Sequence, residues 1–133
     1  GSDAEVSAAE LQKLGDINAT AAEIDAVADV DGRVQELTAS GSVAGGKQSV
    51  ELNHDSTVVA ATIADAANHQ GLFIAKNTSA SGTAAHTLTL TSGTFDGTNA
   101  TATLDAPGEA LVVYFDSTGN GVVVENVGSV ALS

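Results

Sequence analysis

His86-Thr87-Leu88-Thr89-Leu90-Thr91 alternates without a break, leucine on one side of each step and threonine on the other. Successive side chains of an extended strand point to opposite faces, so Leu88 and Leu90 share one face and the threonines the other. That is a strand with one side on a core and one side in water. Thr101-Ala102-Thr103-Leu104 repeats the pattern beyond an Asp96-Gly97 turn.

Working outward, the same period of two runs from Lys47 to the end of the chain. Val50 and Leu52 alternate with Ser49, Glu51 and Asn53. Thr57 to Ile63 is rich in β-branched residues, and Leu72-Phe73-Ile74-Ala75 is a short apolar run of the buried-strand type. Pro107-Gly108 marks a turn before the apolar stretch Ala110 to Phe115, and Asn120-Gly121 is a hairpin turn leading into Val122-Val123-Val124. Val130-Ala131-Leu132 closes the series. Short strands at this spacing predict a mainly β fold, an antiparallel β-sandwich of jelly-roll type over residues 47–133.

Ahead of it the period changes. Ala8-Ala9-Glu10-Leu11 to Ile17-Asn18 is echoed by Ala21-Ala22-Glu23-Ile24 to Val30-Asp31 at an offset of 13 residues. Ser7 with Glu10, and Thr20 with Glu23, each match the Ser/Thr-x-x-Glu capping box, so each unit restarts its own helix. Helices this short do not hold alone in water, and an apolar stripe within one unit has nothing to bury against. Val27, Val30, Val34 and Leu37 follow with coiled-coil spacing, interrupted by Gly32. Residues 1–40 are therefore expected to be a helical-repeat segment, the stalk through which copies of the chain assemble into an oligomer, in which Gly1-Ser2 reads as the remnant of a removed tag. Ala39 to Gly46 reads as flexible, with the linker itself at 41–46.

Composition narrows the function classes. The chain has 133 residues, a net charge of −13, and no Cys, Met or Trp. Disulfides and thiolate chemistry are excluded. Its four Lys and Arg residues are scattered singly, against the clustering that nucleic-acid backbones require. No apolar run is long enough for a membrane span, so no membrane insertion is expected. So acidic a chain suits a highly soluble particle.

No catalytic signature is found. His54, His69 and His86 stand apart without His-x-x-x-His or His-Glu-x-x-His spacing, and are expected as surface or loop histidines. Meeting of symmetry-related histidines on a threefold axis is the one route to a metal. Asp29-Val30-Asp31-Gly32 opens like a calcium loop but lacks the closing Glu. Asp105, Glu109, Asp116 and Glu125 fall at strand ends or turns, where acids are usually solvated. Catalytic residues, metal and cofactor are all expected to be none.

The repeat units, Ser7 to Leu11 with Leu14 to Ile17 and Thr20 to Ile24 with Val27 to Val30, resemble those of head-fibre and related appendage proteins of tailed bacteriophages. In that family three chains wind together as repeated helix-turn-helix units projecting from the capsid. Leu88 to Phe95 and Pro107 to Val113 are similar to the Thr- and Gly-rich β-domains of phage decoration and head-fibre proteins. The repeat covers about a fifth of the chain and has two units where longer fibres carry many. The resemblance implies a virion protein on the capsid surface: a homotrimer that buries Leu11, Leu14, Ile17, Ile24, Val27, Val30, Val34 and Leu37 about its axis. Its partner would be the major capsid protein. Two other classes remain open: a tail-fibre or appendage module that grips host cell-surface glycans, and a fragment of a bacterial surface adhesin.

Overall fold

The computed structural model describes residues 31–133. After a 3-10 turn at Asp31–Arg33, the strands are β1 (Val34–Leu37), β2 (Gly41–Ser42), β3 (Ser49–Leu52), β4 (Ala60–Ile63) and β5 (Gly71–Asn77). They continue as β6 (His86–Leu90), β7 (Thr101–Leu104), β8 (Ala110–Phe115), β9 (Gly121–Val127) and β10 (Ala131–Leu132). Two five-stranded sheets result: sheet A in the order β1-β3-β5-β8-β9, and sheet B in the order β10-β7-β6-β4-β2.

The protein is mainly β, as the alternation predicts, but the sheets are mixed rather than antiparallel. From β1 to β6 the chain alternates between the sheets, and each strand lies parallel to the one before it in its own sheet. Three coils stack in register, with Gln35 beside Val50 beside Ala75 in sheet A, and Ala61 beside Leu88 in sheet B. Only the second half runs antiparallel, through β5/β8, β8/β9, β6/β7 and β7/β10. Parallel neighbours need a crossover, and here the intervening strand of the opposite sheet is that crossover. Alternation tells which face a residue takes and carries no information about strand direction, hence the departure from the jelly-roll order.

Residues 34–46 also depart from expectation. Val34 and Leu37, expected on one helical stripe, sit in β1 on opposite faces: Val34 is 42% exposed and Leu37 packs against the core. The lysine at 47 donates from Nζ to the Gly32 carbonyl, and the Gln48 N–H donates to Arg33 O at 2.8 Å. Those bonds hold the start of β1 extended, where a spacing of 3-4-3 cannot separate helix from strand over so few residues. The expected linker contains β2 and the buried Val43, whose N–H donates to Thr62 O at 2.8 Å. Gln35 ties that end of the stack together: its Nε2 donates to Ser42 O at 3.1 Å and its Oε1 accepts from Ala44 N at 2.8 Å. The remaining expected stripe residues, Leu11, Leu14, Ile17, Ile24, Val27 and Val30, lie outside the described residues.

Inward residues of both sheets share one core. Val50, Leu52, Phe73, Leu111, Val113 and Phe115 come from sheet A, and Ala61, Ile63, Leu88, Leu90 and Leu104 from sheet B. Phe115 stands between Phe73 and Phe95, with ring centroids 5.9 and 6.2 Å away. Each such side chain contributes about 1.5–3 kcal/mol on burial. Gly121 lets the Phe95 loop close onto the β8–β9 turn. A Cβ there would stand 2.6 Å from both Thr94 O and Phe95 O, while its own N–H donates to Thr94 O at 2.7 Å.

Candidate functional site

His54, Ser79 and His86 gather where two connections meet at one end of β6. His86 opens β6 on its inward side, beside Leu104 of β7, and is wholly buried. The β3–β4 connection (residues 53–59) brings His54, and the β5–β6 connection (residues 78–85) brings Ser79. Ser79 Oγ lies 2.9 Å from His86 Nε2. A serine at hydrogen-bond distance from a histidine is the outline of an activated nucleophile, so the proton positions decide what it can do.

Val59 N–H donates to His86 Nδ1 at 3.0 Å. Nδ1 is therefore the acceptor nitrogen, and in the neutral ring the proton sits on Nε2. Nε2–H donates to Ser79 Oγ, which in turn donates to His54 O at 3.1 Å and receives His54 N–H at 3.2 Å. A base must accept the proton of the serine, and this imidazole offers it a donor. The pair is a structural clasp joining two connections to β6. Burial holds the His86 imidazolium pKa below its ordinary value.

His54 Nδ1 caps its own loop, accepting from Ser56 N at 3.2 Å and Thr57 N at 2.9 Å. His69 lies elsewhere, buried, with Nδ1 2.6 Å from Lys47 O and its ring edge-on to Phe73 at 5.2 Å. A carbonyl can only accept, so Nδ1 carries the proton there. The expectation of surface or loop histidines thus fails for His69 and His86, which carry backbone bonds inside the fold. Their only sequence cue is that each begins or borders an apolar run.

The acids build turns. Asp116 Oδ1 accepts from Thr118 Oγ1 (2.7 Å), Thr118 N (2.8 Å) and Asn120 N (3.0 Å), and these donors, the Thr118 hydroxyl foremost, pull its pKa down. Asp96 is lowered in the same way, first by the Asn99 N–H at 2.7 Å. Glu109, expected in solvent, is buried, with Oε2 accepting from Ala106 N at 3.1 Å across the Pro107-Gly108 turn. Among the described residues no three His, Asp or Glu side chains are gathered to hold a metal ion. Of the calcium-loop stretch, Asp29 and Val30 lie outside the described residues, and Asp31-Gly32 belong to the 3-10 turn.

Family models, curated proteins and solved structures all return no match. What function the domain has must be read from its surface, and there one feature stands out. Leu72, Tyr114 and Val122 form a row across β5, β8 and β9 on the outer side of sheet A, with Ile74 and Val112 in the next row. Leu72 is 59% exposed, Tyr114 50%, Val122 64% and Ile74 40%. The run Leu72 to Ala75, expected as a fully buried strand, is buried only at Phe73 and Ala75. Its apolar residues on both sides were the available cue: such a strand is covered twice, and this domain covers it once.

Proposed function

We propose that this chain is a non-enzymatic structural protein of a virus particle, a homotrimeric capsid decoration (cementing) or head-fibre protein of a tailed phage. On this reading the two sheets make a β-sandwich that serves as a knob. The helical repeat ahead of it forms a short trimeric stalk, and the assembly sits on the major capsid protein at the capsid surface. The resemblance of the repeat and of the β stretches supports this role. The observation that carries it in the folded domain is the uncovered apolar face of sheet A, since surfaces of that kind serve protein–protein contact. The histidine clasp and the turn-forming acids fit a binding protein better than a catalyst. Many modest contacts repeated over a capsid sum by avidity.

Two measurements test the reading. Light scattering on the full chain is expected to give the mass of a trimer. Co-sedimentation with tailed-phage capsid shells stripped of surface proteins is expected to saturate and to raise the temperature at which the shells disrupt. A monomer that leaves such shells unbound and unaltered overturns it. The glycan-binding alternative rests on Tyr114, an exposed aromatic on which a sugar ring can stack. Retention on a glycan array, abolished by Tyr114→Ala, would favour it.

A further inference from the structure

The outer face of sheet A has a definite chemical layout. Its rows across the strands are Leu72–Tyr114–Val122, then Val34–Ser49–Ile74–Val112–Glu125, then Glu36–Glu51–Lys76–Ala110–Val127. Apolar side chains fill the whole first row and the β5 and β8 positions of the second, whose β9 position is Glu125, while Glu36, Glu51 and Lys76 occupy the third. Sheet B, made by the same chain, shows the opposite outer surface: Ser42–Thr62–Thr89–Thr101 in one row and Ala60–Thr87–Thr103–Ala131 in the next. Leucine, isoleucine, valine and tyrosine outside sheet A are therefore a property of that face, not of the chain's composition.

We infer that the outer face of sheet A is the interface between copies of this chain, buried against the same face of its neighbours about the symmetry axis of the homo-oligomer. This rests on the homotrimer reading given above and assigns its β-domain contact. Three arguments select a second copy as the occupant. The first is charge: the acids Asp55, Asp65, Asp96, Asp105 and Asp116 lie in connections between strands, and the three on this face, Glu36, Glu51 and Glu125, stand outside its first row. At a net charge of −13, copies of this chain repel one another across most of their surface. The Leu72–Tyr114–Val122 row, which carries no carboxylate, is where they can meet without bringing acids together.

The second is complementarity at the margin, where Lys76 stands in the same row as Glu36 and Glu51. Opposite charges at one rim allow a neighbouring copy to pair with it across the boundary. The third is size. The uncovered side chains expose on the order of a few hundred Å² of apolar surface, above what scattered surface residues leave. With a polar rim, that approaches the roughly 800 Å² per partner of a stable interface. Three such faces turned inward make an apolar core of their own, which compensates a domain core built from few aromatics.

Tyr114 supplies a direct probe, because it is the sole tyrosine in a chain with no tryptophan, so its emission reports on this face alone. Acrylamide quenching of the full chain is followed over a dilution series alongside mass by light scattering. The expected result is a shielded Tyr114 in the oligomer and a several-fold rise in its quenching constant as the mass falls. Leu72→Glu with Val122→Glu, at two exposed positions, is expected to lower the mass at every concentration while the circular dichroism of the β-domain is kept. Thr62→Glu on sheet B leaves the mass unchanged. A trimer in which Tyr114 is freely quenched overturns this interface and leaves the trimer standing. A full chain that is monomeric throughout overturns both.

Discussion

The two outer faces of this domain differ as two proteins might. Sheet B turns hydroxyls outward in register, with Ser42 Oγ 3.2 Å from Thr62 Oγ1 and Thr89 Oγ1 3.3 Å from Thr101 Oγ1. Around Leu72, Ile74, Val112, Tyr114 and Val122, sheet A turns outward the apolar kinds of residue that the core is made of. Threonine on a strand satisfies β propensity through its branched Cβ and satisfies water through its hydroxyl, so sheet B is finished as a monomer surface. Leucine, isoleucine and tyrosine satisfy only the first condition. Cores and interfaces draw on the same physics, and which of the two a strand serves is told by whether its second apolar face has a partner within the chain.

The sharpest break of that comparison is between neighbours on β5. Phe73 is buried against Phe115 and His69, while Leu72 points the other way. Phe73→Ala removes a ring the surroundings cannot refill and is expected to cost about 3–5 kcal/mol in denaturant unfolding. Leu72→Ala, compared at a concentration where light scattering gives a monomer, should fall within about 0.5 kcal/mol of wild type, as surface substitutions do. A Leu72→Ala loss as large as that of Phe73→Ala would mean that sheet A's outer face is covered within one chain.

How far these differences are legible in the sequence depends on the element. His86 to Leu90 and Thr101 to Leu104 are strands with the expected faces, because period two with strongly contrasting residues has one reading. The Asn120-Gly121 turn joins β8 to β9 for an equally local reason. Strand direction is not local: β3 and β5 pair in parallel because the chain crosses to the other sheet between them, and nothing in Val50 or Ala75 records that. Residues 34–37 misread for lack of length, since four residues fit either period. The Ser79–His86 clasp was out of reach because it joins connections whose residues carry no motif, and the proton positions that disarm it come from the Val59 backbone.

That clasp yields the next effect in size. Ser79→Ala removes the acceptor of the buried Nε2–H and leaves it without a partner, at an expected cost of about 1–3 kcal/mol. It lies in the interior between the sheets' connections, so the mass in solution should not change with it. A variant that loses mass while keeping its unfolding midpoint would tie the clasp to assembly instead.

Acid acts on the same group. The unfolded chain takes up a proton at the ordinary histidine value of 6.5, and the folded state only at a lower pH. Between those values unfolding binds a proton, so stability is fully present above about 6.5 and falls as pH drops through the window toward the folded pKa. Protonation would set a second N–H against the Val59 N–H at 3.0 Å. Unfolding midpoints measured from pH 7.5 down to pH 5 should decline, and in His86→Asn, already less stable, the part of that decline above pH 5 should shrink. An unchanged slope in the variant would assign the acid response to other groups.

The smallest effect tests sheet B. Thr89→Val keeps shape and branching and deletes one end of the 3.3 Å hydroxyl pair with Thr101. Water can replace that partner, and valine has equal or better strand propensity, so unfolding should shift by less than about 0.5 kcal/mol in either direction. The informative part is solubility. Exchanging Thr62, Thr87, Thr89 and Thr103 together for valine would give sheet B the apolar character of sheet A without touching the core. If apolar outer faces draw copies together, that variant should form particles larger than the wild-type protein does, visible by light scattering at unchanged circular dichroism. A variant that keeps the wild-type mass would mean that apolarity alone does not make a face adhesive in so acidic a chain. The charged margin of sheet A, with Lys76 beside Glu51, would then be what selects the partner.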